Sequence, residues 1–266
     1  MPILTTEHLT RRFGELTAVD DLTISVNQGE IFGLLGPNGA GKSTAIKMLT
    51  TLLPPTAGRA SVGGFDLEHH AGKIRRLIGY VPQIISADGT LTGRENLLIF
   101  AKLYDIPKSD RSRRIDESLE FMELTDASDK LVRNYSGGMI RRLEIAQSML
   151  HRPKVLFLDE PTIGLDPVGR KAVWNHIQKL QTDYGTTIFL TTHYMEEADK
   201  LCSRVAIMNL GKLTAVGGPV ALKASLRDKE DVTLDDVFAY YTGGSLDRGD
   251  GYRDASRTRR TAKRLG

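Results

Sequence analysis

Apolar positions in this chain follow two periods, and the change from one to the other marks out the elements. Leu22-Thr23-Ile24-Ser25-Val26 alternates apolar and polar residues, as a half-buried strand does, and Asn27-Gln28-Gly29-Glu30 reads as the turn after it. Ile31-Phe32-Gly33-Leu34-Leu35 and Val155-Leu156-Phe157-Leu158 are instead continuous apolar runs, the mark of strands buried on both faces. Ile78-Gly79-Tyr80-Val81 and Thr187-Ile188-Phe189-Leu190 read as further strands, and Ser61 to Leu67, with Gly63-Gly64, as a short strand and turn. The first thirty-five residues resemble a small antiparallel sheet.

Helical spacing fills much of the rest. Thr92-Gly93-Arg94-Glu95 has capping-box spacing and leads into Leu97, Leu98, Ala101, Leu103 and Tyr104. Ile115, Leu119, Met122 and Leu124 share one face of a second helix after the Pro107-Lys108-Ser109-Asp110 break, and Met139, Leu143, Ala146 and Leu150 mark a third. Residues 88 to 150 therefore read as a mostly helical insertion. Val168 to Tyr184 forms a long helix, and Leu234, Val237, Phe238 and Tyr241 form a last apolar face that packs on the domain and that Gly243 ends. Strands alternating with helices indicate an α/β fold with a mostly parallel sheet.

Composition narrows the classes. The chain has 266 residues, 40% apolar and 26% charged, enough for one large core with an attached subdomain. No apolar run reaches the roughly 18 residues that span a bilayer, and Met1 to Leu9 lacks the layout of a signal peptide, so the protein is expected to remain in the cytosol. Cys202 is the single cysteine and reads as a small buried apolar residue. The formal charge of +3 is concentrated at the end: Arg257, Arg259, Arg260, Lys263 and Arg264 lie in Ala255–Gly266 without an acidic residue, leaving a body near −2. Nucleic acid is therefore not an expected partner. Residues 243–266 are expected to form a disordered basic tail, a solvated terminus or, as the alternative, a contact for anionic lipid.

The densest chemistry lies at Gly36-Pro37-Asn38-Gly39-Ala40-Gly41-Lys42-Ser43-Thr44, directly after an apolar strand and before Ala45-Ile46-Lys47-Met48-Leu49. It fits G-x-x-x-x-G-K-[ST], in which glycines let backbone N–H groups close around phosphate oxygens at a helix N-terminus. Lys42 is placed to reach the outer phosphates and Ser43 to hold magnesium. Asp159-Glu160 ends the Val155–Leu158 strand, where one carboxylate suits a magnesium ion and its neighbour the attacking water. His193 closes Thr191-Thr192-His193 at another strand end, within reach of a terminal phosphate; His69 and His70 have no partner ligands at metal spacing and read as surface residues.

Three other positions are ambiguous when read singly. Gln83, after the Ile78–Val81 strand, is either a magnesium or water ligand or a surface polar residue. Ser136-Gly137-Gly138 is either a plain helix cap or a phosphate-facing helix tip. Phe13 is either core or a stacking platform for a purine.

The order of these motifs resembles the nucleotide-binding subunits of ATP-binding-cassette transporters over about residues 3 to 240. Gly36 to Thr44 matches the Walker A loop, Gln83 the Q-loop, Tyr135 to Met139 the signature, Val155 to Glu160 the Walker B strand, Asp166 the D-loop, His193 the H-loop and Phe13 the aromatic A-loop position. The resemblance resolves the three ambiguous positions in favour of function. It implies a P-loop NTPase core, mostly parallel sheet flanked by helices, with an N-terminal antiparallel β subdomain and a helical signature subdomain at about 88–150, all within an ATPase domain of residues 1–242. The signature reads Y-S-G-G-M, with Tyr135 and Met139 where the commonest form has leucine and glutamine, and Phe13 stands in place of the usual tyrosine. Together with Thr233-Leu234-Asp235-Asp236-Val237-Phe238, the Y-S-G-G-M form resembles the daunorubicin-resistance-like branch of ABC-2 type exporters.

What the resemblance implies is specific. ATP and Mg2+ would bind between two head-to-tail copies, each ATP lying between one Walker A loop and the other copy's Ser136-Gly137-Gly138. Glu160, His193 and Lys42 would be catalytic; Ser43, Gln83 and Asp159 would hold the metal; and Asp166 would line the junction. A separate membrane permease would carry the cargo, with this subunit peripheral at the cytoplasmic face. The competing class is a soluble cassette ATPase acting on nucleic acid or ribosomes; the long internal coiled coil and the doubled cassette typical of those types are absent from this sequence.

Overall fold

The structure, a computed structural model, describes residues 1–226 and 231–243; the basic tail foreseen beyond Gly243 lies outside the described residues. Two long strands, β1 (Pro2–Phe13) and β2 (Leu16–Asn27), form an antiparallel hairpin that precedes β3 (Ile31–Leu35). After α1 (Lys42–Leu49) come β4 (Ala57–Val62), β5 (Phe65–Asp66), α2 (Ala71–Leu77) and β6 (Ile78–Val81). The helical stretch holds α3 (Gly93–Leu103), α4 (Lys108–Phe121) and α5 (Gly137–Met149). Then follow β7 (Val155–Asp159), α6 (Pro167–Tyr184), β8 (Thr187–Thr192), α7 (Met195–Leu201), β9 (Arg204–Asn209), β10 (Lys212–Gly217), α8 (Pro219–Ser225) and α9 (Leu234–Thr242).

These strands form two sheets. β2-β1-β4-β5 is antiparallel; β10-β9-β3-β8-β7-β6 is parallel except for its edge strand β10. The expectation of an antiparallel sheet through residue 35 is thus corrected at β3, which leaves the hairpin and enters the second sheet beside β8 and β9. The physical reason is already in the sequence pattern: β2 alternates and has one face to bury, whereas all five residues of β3 are buried.

Period-two geometry divides those continuous apolar runs between two cores. Phe32, Leu34, Val155, Phe157, Phe189, Ala206 and Met208 face the antiparallel sheet and α1. Ile31, Leu35, Leu156, Leu158, Ile188, Leu190, Val205 and Ile207 face the opposite way, toward α5, α6, α7 and α9. Phe32, Phe157 and Phe189 form one aromatic stack across three strands, with centroids 5.5–5.6 Å apart, and each such fully buried side chain contributes about 1.5–3 kcal/mol.

The helices begin and end where their capping residues allow. Thr92 and Glu95 form the foreseen capping box on α3, Ser136 accepts from the Met139 amide at the start of α5, and Gly243 closes α9 in the left-handed region. Leu234, Val237 and Phe238 of α9 are buried against the core, with Tyr241 packed at its margin. Cys202 is buried, which pushes its thiol well above the ordinary range, as expected of an inert packing residue. His70 departs from its surface reading: it is half-buried, its ring 5.8 Å from Phe65. Among the described residues no helix is long and apolar enough to cross a membrane.

Candidate active site

Strand register assembles the site. Leu35 pairs with Thr192, so the loop leaving β3 starts beside the segment that leads into His193, and Asp159 pairs with Thr191, which brings Glu160 to the same edge. Three loops far apart in sequence therefore open at the C-terminal ends of neighbouring parallel strands, where α/β sheets bind ligands.

The Gly36–Thr44 loop is formed by what surrounds it. A side chain at Gly36 would collide with the Met208 carbonyl of β9, and Gly41, at φ 104°, lies against the Ala18 carbonyl of β2. Only glycine meets both demands. The Gly211 amide holds the Ala40 carbonyl at 3.0 Å, fixing the loop from the β9–β10 turn, while Asn38 and Gly39 remain exposed. No side chain caps α1, so its first amides keep their donors for an anion.

Lys42 is almost wholly buried, and its ammonium has three oxygen partners: the Gly36 carbonyl at 2.7 Å, the Pro37 carbonyl at 3.2 Å and Glu160 Oε1 at 3.1 Å. An ammonium has three N–H donors, so its hydrogen-bonding capacity is filled within the loop and the adjoining strand end. Glu160 also meets His193, with Nδ1 at 2.9 Å from Oε2. An ionised carboxylate can only accept, so Nδ1 carries the proton in this contact. Burial pushes the Glu160 carboxyl upward, but the His193 hydrogen bond and the Lys42 charge outweigh it and hold the group below its ordinary value.

Asp159 is buried and accepts from Ser43 Oγ at 3.1 Å and Thr191 Oγ1 at 2.6 Å. Thr191, not singled out from sequence, serves both residues, because its hydroxyl and its carbonyl also take the Glu160 backbone amide at 3.0 and 3.1 Å. Those bonds hold Glu160 at φ 49°, a left-handed conformation rare for a residue with a side chain. The all-oxygen pair of Ser43 and Asp159 suits Mg2+, a hard cation, so the residues present fit the metal.

The other candidates stand further out. Phe13 is 44% exposed with the Arg11 guanidinium 4.6 Å from its ring centroid, leaving the second face for stacking. Gln83 is exposed, and its side chain forms no hydrogen bond with Ser43 or Asp159; its main-chain carbonyl accepts from Arg141 at 3.1 Å, and the Pro82 carbonyl accepts from the same guanidinium at 2.8 Å. Arg141 pairs with Glu144 at 3.0 Å, and Glu144 in turn holds the amide and hydroxyl of Ser86, so a buried pair on α5 fixes the segment after β6. Two charged residues at i and i+3 beside apolar positions were the available signal. Ser136 and Gly137 are exposed, and among the described residues the Ser136 hydroxyl bonds only the Met139 amide. Beneath them Tyr135 is buried, donating to the Ala127 carbonyl at 2.6 Å, so the unusual first signature residue is a packing residue. Asp166 is exposed and caps α6 through the Gly169 amide at 2.6 Å.

Known proteins resemble this chain in sequence and fold. The family described as ABC transporter matches residues 19–163. The chain is 44% identical over 232 residues, 87% of its length and 73% of the other's, to a daunorubicin resistance ATP-binding protein of Streptomyces coeruleorubidus. It is 44% identical over 218 residues, 82% of its length and 68% of the other's, to a Nod factor export ATP-binding protein of Ralstonia nicotianae. A solved ATP-binding subunit of an ABC transporter superposes with a TM-score of 0.78 at 28% identity, covering 90% of this chain and 99% of that one.

Proposed function

The chain belongs to the ABC transporter family as an ATP-hydrolysing subunit, and we propose that it drives an exporter by clasping ATP between two copies of itself. The observation that carries this reading is Glu160, held between Lys42 and His193 above the phosphate loop.

In this reading the triphosphate enters the Gly36–Thr44 loop and the Lys42 ammonium trades its carbonyl contacts for outer phosphate oxygens. Loop and first-turn amides bind the remaining oxygens, and Phe13 stacks on the base. Glu160, freed toward the ligand, orients the attacking water and takes its proton; His193 steadies Glu160 and the transferred phosphoryl group. Ser43, Asp159 and the side-chain amide oxygen of Gln83 would hold Mg2+, which would supply charge neutralisation to the phosphate oxygens.

Ser136, Gly137 and Gly138 bind the phosphate bound by a second subunit, adding donors and the positive helix end where charge spreads in the transition state. Asp166 lines the same junction. The exposed Ile84 and Ile85, directly after Gln83, supply an apolar surface for a separate membrane permease. The words resistance and export in the names of two relatives support outward transport of a drug, lipid or polysaccharide class, with this subunit peripheral at the cytoplasmic face. Residues 1–242 form the ATPase domain in this reading, with 88–150 as its signature subdomain.

Glu160→Gln tests it, because the change removes charge and base capacity but leaves shape. Hydrolysis is expected to fall about 10²–10⁴-fold while ATP binding persists, and an ATP-bound dimer accumulates on gel filtration. Full turnover by a protein that stays monomeric would sink the proposal. Copurification of the wild type with ribosomes or DNA, and not with an integral membrane protein, would favour the soluble alternative.

A further inference from the structure

Glu197 belongs to no motif of the nucleotide site, yet it is wholly buried in α7, the helix that begins two residues after His193. Oε1 receives the Thr162 hydroxyl at 2.7 Å and the Trp174 indole N–H at 2.9 Å. Thr162 lies two residues beyond Glu160, and Trp174 lies on α6, the helix capped by Asp166. A second contact joins the same helices: the Arg170 guanidinium of α6 sits 4.5 Å from the ring centroid of Tyr194, which follows His193. Burying an ionisable carboxyl is unfavourable unless it is hydrogen-bonded, and here two of its donors come from the segment after Glu160 and from α6. Burial holds its carboxyl above the ordinary value even though Thr192, Thr162, Trp174 and Arg170 favour the ionised form.

We infer that Glu197 is a positioning residue for hydrolysis, fixing Glu160 against His193 and the Asp166 segment by tying Thr162 and Trp174 to α7. Glu160 needs such support. Its left-handed backbone is held on the N-terminal side by Thr191, and the Thr162–Glu197 bond holds the chain on the other side. A shift of the Thr162 segment would move the carboxylate off the water without touching the phosphate loop, so the effect falls on turnover and spares nucleotide affinity.

The inference rests on the reading of Glu160 as the hydrolytic group, and the experiment separates the two. Trp174 is the only tryptophan, so its fluorescence reports directly on the Glu197 contact. In full-length protein assayed below its unfolding temperature, Glu197→Ala is expected to lower kcat about 10- to 100-fold with KM within about twofold. Its tryptophan emission shifts, and the ATP-induced change in that emission is lost. Glu197→Gln keeps an acceptor oxygen for both donors and is expected to recover most of the turnover. Thr162→Val should reproduce part of the loss, and combining it with Glu197→Ala should add little. Unchanged kcat in Glu197→Ala, or a matching rise in KM, overturns the inference provided the wild type hydrolyses ATP and Glu160→Gln does not. If those two controls fail, the reading of Glu160 fails instead.

Discussion

The phosphate-loop side and the signature tip differ in how completely each is bound within one chain. Lys42, Ser43, Asp159, Glu160, Thr191 and His193 form a continuous set of short contacts from three segments, and most of these groups are buried. Ser136 and Gly137 are exposed, and among the described residues the Ser136 hydroxyl reaches no further than its own helix. Buried polar groups demand partners, and the first side has them all at hand. The second presents an open helix start.

The sharpest way to break this contrast is to damage each side separately. Lys42→Ala is expected to weaken ATP binding and reduce hydrolysis beyond detection. Gly137→Asp, which sets a carboxylate on the tip, is expected to cost hydrolysis about 100-fold or more while each monomer still binds ATP. Mixing the two variants rebuilds one composite junction, from the intact loop of one and the intact tip of the other, so activity should return. Failure to recover activity in dimers shown to contain both variants would mean that the tip does not work in trans.

A smaller effect tests how the tip is supported. A Cβ at Gly93 would strike the Tyr135 hydroxyl, which is itself bonded to Ala127. Gly93→Ala should therefore destabilise by about 1–3 kcal/mol, seen as a fall of several degrees in the melting temperature. Adding Tyr135→Phe removes the colliding oxygen, and the double variant should lose less than the two single losses together. Strict additivity would show that the two residues do not share this contact.

The smallest effect is the pH response of the loop side. Glu160 is held below the ordinary carboxylate value, so its contribution to stability is present above that value and is lost as pH falls through the lower folded one. Denaturation of wild type and Glu160→Gln should converge as pH drops below about 4. Glu197, held high, works in the opposite direction: its burial is least unfavourable once it is protonated. A stability gap between wild type and Glu160→Gln that stays constant from pH 7 to 3 would contradict the loop-side account.

Much of this was legible before any coordinates, for a local reason. The loop glycines, the Asp159-Glu160 pair after four apolar residues and Ser136 before a helical period are short-range patterns, each set by backbone geometry over a few residues. The helical character of the 88–150 segment and the two-faced burial of β3 and β7 were encoded in the same way.

Tertiary structure decided what lies between those patterns. The roles of Thr191, 31 residues from Glu160, of the Arg141 guanidinium, 59 residues from Pro82, and of Glu197, 35 residues from Thr162, each depend on which strands and helices become neighbours, which local spacing does not fix. Sequence alone determined the fold class and singled out the groups proposed to bind phosphate, because spacing along a strand or helix fixes which side chains share a face. Only the folded chain decided how those groups are held, because parallel strands from distant segments must pair before their ends can meet.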